Sequence, residues 1–255
     1  MGYAVGVFWM TLALAVVVGI TLGLFGGGGS ILTVPLLIYV TGLGTKEAIA
    51  TSLVVVGITS IGALVTHARA GRVQWRTGLI FGATAMVGAY VGGRLGPLVP
   101  DTVLLVGFAL MMLATSIAMI RGRRDTSPGD RGEHHIGLVL VEGVVVGLVT
   151  GVVGAGGGFR VVPALVLLGG LPMATAVGTS LLVIALKSFA ALAGYLSAVQ
   201  IDWSLALAVT ALALAGSVLG GFLAGRLDPD RLRRGFGVFV LAMAVFVLAQ
   251  TGLAA

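Results

Sequence analysis

Two glycine runs interrupt long apolar segments at matching places. They are Gly26-Gly27-Gly28-Gly29-Ser30 and Gly154-Ala155-Gly156-Gly157-Gly158. Each is followed by a short apolar stretch that carries a proline, Pro35 or Pro163. Glycine has the poorest helix propensity after proline, so three or four together break a helix. In hydrocarbon, such a break leaves backbone N–H and C=O groups without partners. It survives only where it is buried in protein or lines a polar cavity. Paired breaks at corresponding points of two halves are the sequence pattern of a buried binding site in a membrane carrier.

Composition supports the membrane setting. The 255 residues are 58% hydrophobic and 9% charged, with a mean hydropathy of +1.14. A soluble domain of this length has no way to bury that much apolar surface. Apolar runs near 20 residues recur, which predicts an all-α polytopic membrane protein in contact with the lipid bilayer. The alternating pattern of a transmembrane barrel is absent. There is no cysteine, so disulfides and thiol ligands are excluded. The net charge of +6 comes from arginines between apolar runs, which reports orientation and not nucleic-acid binding. The first apolar run lacks a basic leader, so no cleavable signal peptide is expected.

The halves align without a gap at an offset of 128 residues, which brings Gly23 onto Gly151, Gly28 onto Gly156 and Pro35 onto Pro163. Thr51-Ser52 then meets Thr179-Ser180, Ser60 meets Ser188, Trp75 meets Trp203, and Gly88 and Gly92 meet Gly216 and Gly220. A register held this long marks an internal duplication. Each unit has five apolar pieces, at 4–24, 30–42, 46–68, 75–95 and 102–120, then at 136–153, 158–170, 173–198, 203–223 and 232–250. The second piece of each is too short to cross a ~30 Å hydrocarbon core at 1.5 Å per residue. It reads as a half-helix returning from a glycine tip. Glycines spaced by four, as at Gly88/Gly92, Gly216/Gly220 and Gly143/Gly147/Gly151, read as close helix packing. Trp75 and Trp203 read as interfacial anchors.

Loop charge selects the topology. The basic clusters are Arg69/Arg72/Arg76, Arg121/Arg123/Arg124/Arg131 and Arg226/Arg231/Arg233/Arg234. All three share one side only if the first two pieces of each unit form a hairpin, which makes the crossing count odd. The expectation is therefore two inverted repeats, 1–120 and 136–255, each with a Gly-tipped broken or re-entrant pair plus three spanning helices. Residues 121–135 form a cytoplasmic linker, and both termini lie outside.

Polar groups at membrane depth are the candidates for chemistry. Arg160 follows the second tip by two residues, at the start of a half-helix whose first N–H groups lack partners. A cation there is unfavourable alone, and an anion beside both is favoured. Lys187 lies near the middle of piece 173–198, after a wholly apolar stretch. It is either charged at the site or neutral and hydrogen-bonded to a hydroxyl. Thr51, Ser52, Thr179 and Ser180 sit beside the tips, where their hydroxyls either line the cavity or bond their own helix carbonyls. With Gly27, Gly28, Gly29, Ser30, Gly156, Gly157 and Gly158 they complete the expected substrate site. His67 and Glu142 are the groups that could carry a coupling proton; a terminal histidine at the interface is the plainer account of His67. His134 and His135 fall in the polar linker.

The absences count too. A cation carrier would place carboxylates, histidines or thiolates at the midplane, whereas the deep charges here are basic. No metal site or cofactor motif is expected. No nucleophile–base pair of a hydrolase is visible, and no Lys-Ser/Thr follows the glycines as a P-loop requires. The substrate expected is a small anion.

At these residues the chain resembles the TauE/SafE-type sulfite exporters. The resemblance rests on Gly23-Leu24-Phe25-Gly26-Gly27-Gly28-Gly29-Ser30 with Pro35, Ala50-Thr51-Ser52, His67 and Gly71-Arg72-Val73. In the second half it rests on Gly151 to Gly157 with Pro163, Val177-Gly178-Thr179-Ser180 and Val199-Gln200-Ile201-Asp202-Trp203. It implies a plasma-membrane permease, not an enzyme, for sulfur-containing anions such as sulfite or small organosulfonates, with a homodimer as one assembly. The chain departs from the pattern at Lys187, where an uncharged polar residue such as asparagine is expected. An extra cation suits a more highly charged anion. The competing expectations are a proton-coupled importer of another small anion and a membrane assembly or sensor subunit without transport.

Overall fold

A computed structural model describes residues 2–25, 31–121, 136–154, 161, 162, 165, 171–223 and 229–253. The glycine tips at 26–30 and 155–160, with Arg160, lie outside the described residues, as does the linker at 122–135. The regular structure described is helical. In chain order the helices are α1 (Gly2–Phe25), α2 (Thr33–Tyr39), α3 (Thr45–Arg69), α4 (Trp75–Leu95) and α5 (Asp101–Arg121), then α6 (Ile136–Val153), α7 (Met173–Tyr195), α8 (Trp203–Leu223) and α9 (Pro229–Leu253). A single 3-10 turn, Gly96–Leu98, links α4 to α5. Residues 161, 162 and 165 are helical, inside the second short piece expected from the sequence.

Five of these helices are by themselves long and apolar enough to cross a membrane: α3, α4, α5, α7 and α8. They are not equivalent in burial. In the most apolar windows of α3 and α7, 78% and 72% of residues are buried, against 39–44% in α4, α5 and α8. So α3 and α7 form the centre, and α4, α5 and α8 turn one side outward. That outer side is apolar, with Leu79, Val87 and Val91 on α4, Val103 and Leu110 on α5, and Leu207 and Leu219 on α8 exposed. Lipid tails satisfy such a face, so burying it inside the protein would bring little gain. Trp75 and Trp203 are about half exposed at the starts of α4 and α8, as interfacial anchors require.

Without a hydrophobic drive between helices in lipid, close backbone packing has to hold them. The small residues supply it, and they do so across the two halves. At Gly88 and Gly92 of α4, a Cβ would come within 2.0 and 2.3 Å of the carbonyl oxygens of Val144 and Leu148 on α6. At Gly216 and Gly220 of α8, it would come within 2.3 and 2.2 Å of those of Val16 and Ile20 on α1. The reciprocal contacts follow the same pattern: Gly147 on Ala85 at 2.1 Å, and Gly19 on Ala213 at 2.0 Å. Every pair maps onto its counterpart at the 128-residue offset read from the sequence. The fourth helix of each half is thus packed on the first helix of the other.

The contacts also give directions. From Gly88 to Gly92 the partners advance from Val144 to Leu148, so α4 and α6 run in the same sense, as do α1 and α8. Gly78 of α4 meets Thr179 and Leu182 of α7, and Gly93 meets Ala191, so α4 and α7 also run together. The central pair differs. Gly57 of α3 meets Phe189, whereas His67 and Arg72 meet Gly178, so α3 and α7 run in opposite senses.

Candidate functional site

The crossing of α3 with α7 is the natural place for a site, because both helices are buried there and both carry polar groups. Gly57 faces Phe189; exchanging the halves turns that pair into Ile61 facing Ala185. The level common to both pairs is Thr59 on α3 and Lys187 on α7. Lys187 is 2% exposed, and its Nζ donates to Thr150 Oγ1 of α6 at 3.2 Å. Thr150 in turn donates to the carbonyl of Val146 at 2.7 Å, so its oxygen is left to accept from the lysine. Leu53, Ala89, Gly151, Ser188 and Ala191 complete the lining, packed so tightly that no water-sized sphere fits. The single ion pair among the described residues, Lys46 with Asp101 at 3.5 Å, is at the exposed start of α3 and α5.

Next to Lys187, the Ser188 hydroxyl is buried and has no hydrogen-bond partner among the described atoms. Its repeat counterpart Ser60 is buried and unpartnered in the same way. Buried hydroxyls without partners are uncommon, because each forfeits its hydrogen bond to water. Thr33, in the first turn of α2 just past the first glycine run, is a third case. Of the residues lining the Lys187 pocket, Thr150 and Ser188 were not among the site residues expected from the sequence. The recurrence of Ser60 at Ser188, directly after Thr59 and Lys187, was the available signal.

The hydroxyls expected beside the tips have local partners. Ser180 donates to Val177 O at 2.7 Å, and Ser52 to Ile49 O at 2.7 Å, each within its own helix. Ser52 also lies 3.3 Å from the carbonyl oxygen of Gly154, the first residue of the second glycine run. Gly154 has φ +72, and a Cβ there would stand 2.2 Å from Ile49 Cγ2, so only glycine ends α6 in this way. Thr179 accepts the backbone N–H of Gln74 at 2.9 Å and so fixes the α3–α4 turn on α7. Thr51 is buried in α3.

Thr150 precedes Gly154 by four residues, about 6 Å of helix, so the Lys187 pocket lies one turn from the second tip. His67 and Glu142 stand elsewhere. His67 is in the last turn of α3 beside Gly178, with Nδ1 unpartnered among the described residues. Glu142 is eight residues before Thr150 on α6, about 12 Å along the helix. The positions Gly27, Gly28, Gly29, Ser30, Gly156, Gly157, Gly158 and Arg160 lie outside the described residues.

Comparison with known proteins gives the family. A family profile described as "Sulfite exporter TauE/SafE" matches residues 11–247. A "Probable membrane transporter protein" of Xylella fastidiosa strain Temecula1 is 37% identical over 240 residues, 91% of each chain. A protein of the same description from Methanocaldococcus jannaschii is 29% identical, covering 94% of this chain and 97% of its own. One from Bacillus subtilis is 28% identical, covering 83% and 88%. No solved structure matches.

Proposed function

Since the chain belongs to the TauE/SafE sulfite exporter family, and is a multi-pass membrane transporter and not an enzyme, we propose that it carries small sulfur-containing anions out of the cell across the plasma membrane. Sulfite and small organosulfonates are the substrates proposed. The observation that carries the choice of an anion is Lys187, a buried amine at the centre of the bundle whose neighbours among the described residues are neutral. A buried cation needs an opposite charge to offset its desolvation.

The transport route follows from the duplication. The two units, 1–120 and 136–255, are inverted repeats joined by a cytoplasmic linker at 121–135, with both termini outside. The opposed directions of α3 and α7 support this, as does the common direction of α4 and α6. The substrate sits between the glycine tips. Gly27, Gly28, Gly29, Ser30, Gly156, Gly157 and Gly158 present backbone N–H groups, and Arg160 supplies a guanidinium fork. Thr51, Ser52, Thr179 and Ser180 frame the tips, with Ser52 holding the Gly154 carbonyl. Rocking one unit against the other exposes the site to each side in turn.

Direction comes from the membrane potential. With the interior negative, each exported negative charge gains ~2.3 kcal/mol per 100 mV. In proteoliposomes loaded with sulfite, an imposed inside-negative potential is expected to accelerate efflux. Efflux indifferent to the potential would remove this argument for export.

A further inference from the structure

The repeat is broken at one level, and the break has a chemical sense. Lys187, Ser188 and Thr150 of the second half correspond to Thr59, Ser60 and Leu22 of the first. Thr59 is buried, and its hydroxyl donates to Val55 O of its own helix at 2.6 Å. Leu22 is buried and has no hydroxyl to offer. The first half therefore keeps the unpartnered serine but lacks both the amine and the side chain that holds it.

The lone pairs of the Ser188 and Thr150 hydroxyls apart, what remains unfilled around Lys187 is donor. As an ammonium Lys187 has three hydrogens, and Thr150 takes one of them. Among the described residues nothing accepts the Ser188 hydroxyl hydrogen, and Thr150 directs its own away to Val146. The other lining groups, Leu53, Ala89, Gly151 and Ala191, carry no side-chain acceptor. A cationic guest would meet a like charge, and a neutral acceptor would pair these hydrogens without offsetting the charge. A small oxyanion pairs them and offsets the buried charge at once.

We propose that each chain binds one oxyanion, in the pocket at Lys187, with the Lys187 ammonium and the Ser188 hydroxyl donating to its oxygens and Thr150 holding the ammonium in place. The symmetry-related position at Thr59 and Ser60 is not a site. This rests on reading the protein as an anion carrier and puts the anion at the inner end of the site between the glycine tips, one helical turn from Gly154. The pocket is closed to a water-sized sphere, so binding accompanies a separation of α6 from α7.

The test is equilibrium binding to the purified protein, by titration calorimetry and by ligand-dependent melting. The probes are sulfite and methanesulfonate, with dimethyl sulfone as the neutral control. The parent is expected to bind either anion at one site per chain and to ignore dimethyl sulfone. Lys187→Met should weaken sulfite binding by about tenfold or more, since a charged hydrogen bond is lost. Without ligand it should melt at or above the parent temperature, because a buried charge is replaced by an apolar chain of similar length. Ser188→Ala and Thr150→Val should each weaken binding by roughly threefold to tenfold, and Ser60→Ala should leave it unchanged. If Lys187→Met does not fold, the contrast of Ser188→Ala with Ser60→Ala decides. Equal losses at Ser188 and Ser60, two sites per chain, or parent-like binding by Lys187→Met would each overturn the proposal. A parent that binds neither anion would overturn the anion reading as well.

Discussion

Gly88 of α4 lies directly on the carbonyl of Val144 of α6, so close that a Cβ would stand 2.0 Å from the oxygen. The same approach recurs between Gly216 of α8 and Val16 of α1, at 2.3 Å. These two seams tie each half to the other. Gly88→Ala and Gly216→Ala should each force the helices apart. The expected destabilisation is about 1–3 kcal/mol or more, the usual range for overpacking. Gly252→Ala is the control, because nothing lies within 4 Å of its Cβ position. Thermal unfolding in detergent reads the difference. A Gly88→Ala protein that melts with the parent would mean the seam is loose.

These seams show where sequence reading reached and where it stopped. The spacing of Gly88 and Gly92 identified a packing face, because small residues at four-residue intervals line one side of a helix. It did not identify the partner, since nothing in either half says that α4 meets α6 and α8 meets α1. Helix ends were legible where aromatic anchors or glycines mark them. Both ends of α4 (Trp75–Leu95), the end of α6 at Val153 and the start of α8 at Trp203 are those read from the pattern. The α7 piece ends at Tyr195, three residues earlier than read, because residues 196–198 form a turn. Lys187 stood out as a charge in an apolar run. Thr150 did not, because a hydroxyl becomes informative only once α6 is laid against α7, and for Ser188 the sequence offered only its recurrence at Ser60. Ser52 and Ser180 show the converse, bonding the carbonyls three residues back in their own helices.

Topology can be checked with single cysteines, since the chain has none of its own. Asp130→Cys and Asp228→Cys should both react from the cytoplasmic side, and Gln200→Cys from outside. An impermeant thiol reagent on right-side-out and inverted vesicles distinguishes the sides. Positions 130 and 228 labelling from opposite faces would break the inverted repeat.

The glycine tips are expected to act through their bare backbone. Gly28→Leu and Gly156→Leu should reduce transport far more than they reduce the amount of folded protein. A side chain there would keep the ligand from the N–H groups and disfavour positive φ. Transport at the parental rate by both variants would reduce the tips to packing features.

Arg160 offers a planar fork that matches the oxygens of a sulfite or sulfonate. Arg160→Gln keeps most of the length and some hydrogen bonding but removes the charge. Anion affinity should fall by roughly tenfold or more, the equivalent of a charged hydrogen bond of ~1.5–3 kcal/mol. Arg160→Lys should fall between the two. Binding of every anion unchanged in a folded Arg160→Gln protein would make this arginine structural.

The central claim is that this bundle moves a small oxyanion, and counterflow tests it most directly. Proteoliposomes preloaded with unlabelled sulfite would be diluted into a trace of radiolabelled sulfite. The account predicts a transient accumulation of label above its equilibrium level. Methanesulfonate inside should support it, and dimethyl sulfone should not. Label entering no faster than into protein-free vesicles, for sulfite and for the organosulfonates alike, would contradict the account.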